Sequence, residues 1–250
     1  MKRLIVRRAT EIPTWLFCLC FIATFANAPV LANERAKSDD SDHLVPIDGL
    51  LEPAYQALLS KKLFVTPGNF TRIAILPSAA SKGEVAIALY SKPTTKSEEN
   101  VFITCTKAEK NLWYAASNEN GVLSKDTSVE IARFDAPFPK SVAMTIVKGV
   151  RRMLAQRQPP TKTNKVIVDG TDIEVSIDDG TSRPVQGLLT PYARGNNGSA
   201  LRRLADMLEI YCENRTVNRE RLIKKIEAEA SRLAESASSP KSAITPEGKN

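Results

Sequence analysis

Histidine is almost missing from this chain: among 250 residues there is one, His43. A Ser-His-Asp or Cys-His apparatus needs an imidazole beside its nucleophile, and His43 stands at the edge of a polar lead, so such chemistry has no credible base. Cysteine is nearly as scarce, with four residues, and two of them, Cys18 and Cys20, fall inside an N-terminal apolar run. Zinc takes three or four His, Cys or carboxylate ligands, a supply that fails once Cys105 and Cys212 are paired. No glycine-rich phosphate loop and no dinucleotide fingerprint occur. No calcium-binding hand occurs either, because Asp169, Asp172, Asp178 and Asp179 lack its alternating spacing and acidic residues at hairpin ends are ordinary turn formers. The expectation is therefore no metal site and no cofactor. Lys and Arg are spread along the chain instead of clustered with aromatics on one face, which excludes a nucleic-acid surface.

What is present begins with an export pattern. Lys2, Arg3, Arg7 and Arg8 precede an apolar run from Trp15 to Ala28, followed by the small-residue exits Ala26-Asn27-Ala28 and Val30-Leu31-Ala32. A run of about 14 residues rises only ~21 Å as a helix, short of the ~30 Å hydrocarbon core, so a cleaved signal peptide is the better reading than an anchor. Pro29 disfavours the first exit and places cleavage after Ala32. Phe17 and Leu19 precede the two leader cysteines where a lipoprotein signal prefers a small residue. The leader holds four of the 35 basic and one of the 28 acidic residues, so its removal lowers the net charge from +7 to about +4. No other segment approaches a membrane-spanning length, and the expected location is secreted or periplasmic.

In an oxidising compartment the remaining pair, Cys105 and Cys212, reads as a disulfide, with two separate buried thiols as the competing reading. Alternation places Val101, Ile103 and Cys105 on one strand face. Leu201, Leu204, Leu208, Tyr211 and Cys212 recur at helical spacing. Both sulfurs therefore sit on faces that require burial.

Residues 33 to 46 read as a disordered lead, and 47 to 215 as a single α+β domain. Ile47 to Lys62 has the spacing of a short helix packed over a sheet edge, with Pro53 in its first turn. A period of two then predicts strands at Thr71 to Leu76, Glu84 to Tyr90, Asn100 to Thr106, Leu112 to Ala116 and Ser128 to Phe134, joined by turn-rich connections. Phe102, Trp113, Tyr114 and Phe134 are read as cross-strand packing. The helical period returns over Pro139 to Gln156, whose Lys148, Arg151 and Arg152, with Arg157 beyond them, complement the helix dipole. Val166 to Val168, Asp169-Gly170 and the alternating Ile173, Val175 and Ile177 predict a hairpin, with Glu174 and Ser176 facing water.

Asp178 to Ser199 has no defensible periodicity, and its Arg183, Tyr192 and Arg194 form a candidate binding loop. Ser199 is the expected N-cap of a helix over Ala200 to Glu213. Residues 216 to 236 read as an amphipathic C-terminal helix whose thin stripe includes Ile223, Ile226 and Leu233; it lies lightly on the body or meets a partner helix. Residues 237 to 250 read as a disordered tail.

The fold expected is an antiparallel sheet of about five to seven strands packed against two or three helices. The role expected is a non-enzymatic binding or assembly protein of the cell envelope whose partner is another envelope or secreted protein. Two alternatives remain: a carboxylate-dependent hydrolase, requiring two of Asp135, Asp169, Asp172, Asp178 and Asp179 to converge with one raised pKa, and a small-molecule carrier.

Overall fold

The structure is a computed structural model that describes residues 43–48, 50–65, 68–92, 100–118, 122–124, 127–159, 170–178, 184–191, 195–213 and 218–235. Six strands form one antiparallel sheet: β1 (Asn69–Pro77), β2 (Val85–Lys92), β3 (Asn100–Ala108), β4 (Ile131–Pro137), β5 (Thr171–Ile177) and β6 (Val185–Leu189). Their spatial order is β4-β3-β2-β1-β5-β6. The helices are α1 (Pro53–Lys62), α2 (Leu112–Ala116), α3 (Lys140–Ala155), α4 (Asn196–Glu213) and α5 (Arg219–Glu235). The architecture is α+β, as the succession of periods indicates.

The register sorts side chains onto two faces. Ile73, Ile87, Cys105 and Phe134 are successive partners across β1, β2, β3 and β4, and Val175 joins the same row from β5. This apolar face lies under α3 and α4, and α5 packs against both helices. At the α3–α5 crossing a Cβ on Gly149 would lie 2.8 Å from the Leu233 Cβ, so only glycine allows that approach. Ile226 and Leu233 are buried there with Ala230. A fully buried Leu or Ile contributes about 1.5–3 kcal/mol, so α5 is docked firmly and not lightly.

The opposite face carries Ala74, Leu76, Ala86 and Leu188 beneath α1, whose Tyr55, Leu58 and Leu59 point down onto it. Pro53 occupies the first helical turn, as expected, but α1 covers a face and not an edge. Because this second face is covered, Glu174 and Ser176 are buried, contrary to the expectation that they meet water.

Other boundaries also moved. Leu112 to Ala116 is a helical turn instead of a strand: the Asn111 side chain accepts from the Tyr114 N–H at 3.2 Å and donates to the Pro77 carbonyl at 2.8 Å, a cap that the alternating pattern hides. Trp113 and Tyr114 accordingly leave the cross-strand set, where Tyr90 and Phe102 do face each other with ring centroids 5.7 Å apart. The last strand of the series begins at Ile131, after the expected Ser128, and α4 begins at Asn196, ahead of Ser199. From Ile173 to Ile177 both edges of β5 are taken, by β1 and β6, so the hairpin expected across Asp169-Gly170 does not form through that strand; residues 166–169 lie outside the described residues. The lead also enters the fold earlier than its composition indicates. Leu44 and Val45 are buried, and Val45 bridges Leu188 at the edge of β6.

Candidate functional site

The disulfide Cys105–Cys212 is present, with Cα atoms 6.1 Å apart and 107 residues of separation. It fastens the end of α4 to the third strand. Around it, Lys107 donates to Glu209 at 3.1 Å and to Glu213. Burial pulls the Lys107 pKa down, but these two hydrogen bonds and charges more than offset it and hold the ammonium above its ordinary value. Phe138 meets the Tyr211 ring edge-on at 5.4 Å, closing the same corner.

The densest ionisable group lies beneath α1. Glu84 is fully buried, accepting from the Tyr55 hydroxyl at 2.6 Å and from the Leu112 N–H at 2.8 Å. Tyr55 is held far above the usual phenol range, first by burial and then by the Glu84 charge and hydrogen bond. One row deeper, Arg72 donates to Glu174 at 2.7 Å, and the guanidinium carbon stands 3.6 Å from the centroid of Phe64. A charge pair this dry needs both partners, because either one alone would be an uncompensated buried ion.

Asp172 differs from these. Leu76 is its register partner, and Glu84 continues the same row on the far side of Leu76, two strand spacings or ~10 Å from Asp172. Among the described residues the Asp172 carboxyl makes no hydrogen bond or ion pair. Burial raises its pKa to about 6, with Arg202 opposing the shift. Arg202 itself donates to the Thr171 carbonyl at 2.8 Å and to the Thr190 carbonyl, tying α4 to the ends of β5 and β6.

The five aspartates considered for hydrolysis do not assemble among the described residues. Asp135 is on β4, with β3, β2 and β1 between it and β5, and hydrogen bonds with Arg133 and Tyr90 occupy it. Asp178 lies beyond the other end of β5, about six residues or ~20 Å from Asp172. Asp169 and Asp179 lie outside the described residues, as do Arg183, Tyr192 and Arg194 of the candidate binding loop. No cluster of three or more metal-binding side chains occurs among the described residues.

The candidate interaction helix is α5. Ile226 and Leu233 face the core and Ile223 packs partly buried against it, so this stripe is occupied by the chain's own α3 and α4. Of the basic residues expected to complement the end of α3, Arg157 donates to the Leu154 carbonyl at 2.9 Å, whereas Arg152 donates to that of Ala234 on α5. An open concavity of about 480 Å³ lies along α4 and α5, lined by polar groups including Asn196, Arg203 and Arg232. No described helix is long and apolar enough to cross a membrane.

What pattern reading missed is Tyr55, Glu84 and Arg72. Glu84 opens the expected strand Glu84 to Tyr90, and nothing local to it indicates that a helix nearly 30 residues earlier would cover it. No family model, curated protein or solved structure matches the chain.

Proposed function

We propose that this chain is an exported, non-enzymatic binding or assembly protein of the cell envelope that engages another envelope or secreted protein. The disulfide supports the compartment, since such bonds persist where the surroundings are oxidising. For binding, the carrying observation is the surface of the α1–α2 cap. Tyr114 on α2 is 51% exposed and Val122, in the chain that follows it, 62%, and Trp113 is anchored edge-on against Tyr55 at 5.4 Å. Large side chains held out by a fixed cap suit an anchor for a partner protein, because aromatic anchors dominate interface energetics. The α5 stripe does not serve this role, being occupied within the chain.

The test places a photo-cross-linking residue at position 114 and compares capture from an envelope extract with and without Val122→Ser. A discrete cross-linked species that disappears in the variant, with unchanged thermal unfolding, is the expected result. Cross-links that are absent or indifferent to Val122 would count against this surface.

A further inference from the structure

Among the described residues β4 is an edge strand, pairing with β3 alone, and Ala132, Arg133, Asp135 and Pro137 are exposed along it. Two backbone bonds fix which of its groups are already used. Phe138 N–H donates to Val101, and Glu109 N–H donates to Glu130, each between residues directly opposite in the register. Antiparallel pairing alternates, so the even residues of β4 exchange bonds with β3 and the odd ones, Ile131, Arg133, Asp135 and Pro137, turn their N–H and C=O groups outward. Side chains follow the pleat. Arg133 and Asp135 share the face carrying Thr104 and Thr106, while Phe134 shares the Cys105 face, half-buried beneath Arg219.

From this edge we infer that two copies of the chain pair through β4, antiparallel, about a two-fold axis at Phe134. The sequence Arg133-Phe134-Asp135 is self-complementary in that register alone. Arg133 of one copy falls opposite Asp135 of the other, twice, and each opposed pair is of the kind that exchanges both backbone bonds. Ile131 N–H meets the Pro137 carbonyl, and the missing N–H of Pro137 falls at the end of the ladder, where one bond fewer matters least. About six backbone bonds result. Centring the axis on Arg133 or on Asp135 instead sets like charges face to face, which is destabilising. Within one chain Arg133 already donates to Asp135 at 3.0 Å. Across the axis these two pairs merge into a ring of alternating charge, with the two Phe134 side chains opposed on the other face as a close, non-hydrogen-bonded pair. The product is a continuous sheet through both copies, in which neither exposed β4 edge remains as a template for irregular association.

The experiment is sedimentation equilibrium of the chain, expressed with its own leader and purified, together with Arg133→Asp, Asp135→Arg and the double exchange. A dimer is expected for the wild type, with association weakened about tenfold or more in each single variant, where like charges meet, and recovered in the double variant, where the complementarity returns with its sign reversed. Amide exchange at Arg133 and Asp135 supplies a readout independent of mass: both outward N–H groups should be protected at high protein concentration and exposed on dilution. A monomer at ~100 μM overturns the inference. So does a dimer indifferent to Arg133→Asp, a dimer that the double exchange fails to restore, or fast exchange at both amides while the dimer persists.

Discussion

Replacing Asp172 with asparagine removes a charge that the fold holds at a cost. The carboxyl titrates at about 6 in the folded chain against an ordinary 3.8, and burial is the dominant cause. A raised folded-state pKa means that the folded protein binds this proton more tightly than the unfolded chain does. The penalty is absent below about pH 4, grows through the window between 4 and 6, and is complete above it. A shift of roughly two units corresponds to about 3 kcal/mol at most; solvent reaching the half-buried carboxyl reduces this to ~1–3 kcal/mol. Asparagine keeps the shape and carries no charge. Asp172→Asn is therefore expected to stabilise the protein by that amount at pH 7.5 and to change little at pH 4. Urea unfolding followed by the fluorescence of Trp113, which stands against Tyr55 at the cap, reads both values. Equal effects at the two pH values, or destabilisation at pH 7.5, would refute the assignment of an unpaired, desolvated charge.

Two further substitutions probe the fixed points of the fold. Replacing Cys105 and Cys212 together with serine opens a closure spanning 107 residues and should lower stability by about 4–5 kcal/mol on the chain-entropy account, measured by the same urea titration at equal protein concentration. Arg72→Met leaves Glu174, whose side chain is 3% exposed, without its cation, and should cost about 3–5 kcal/mol at neutral pH; a loss under 1 kcal/mol would show that water or another group compensates the carboxylate.

Much of the fold was legible because its strongest signals are local. The period-two runs became β1, β2 and β3 nearly in place, and the apolar stripe of Val142, Ile146, Val150 and Met153 became the buried face of α3. The disulfide was legible for a similar reason: each cysteine lay on a face that had to be buried, and two such faces had to meet. The misreading of Leu112 to Ala116 has an equally local cause. Five residues are too few for either period to declare itself, and the deciding contacts, Asn111 to Tyr114 N–H and Glu84 to Leu112 N–H, join side chain to backbone where no hydrophobic pattern registers.

The second face of the sheet shows where alternation ceases to be informative. Polar residues at Arg72, Glu84, Glu174 and Ser176 recur with the period of a solvated face, yet α1 and its flanking chain cover that face and α2 closes the end by Glu84. Burial there is possible because the polar groups are matched across elements far apart in sequence: Tyr55 with Glu84, Arg72 with Glu174, Thr71 with the Ser176 carbonyl. Each match is worthless until both elements are in place, so the polar layer rewards the assembled cap and penalises a partial one. A covered face made this way makes α1 and α2 dependent on each other, since Glu84 accepts from both. The exposed Tyr114 is then carried by a unit whose position is set from inside the sheet, which is what the binding role proposed for it requires.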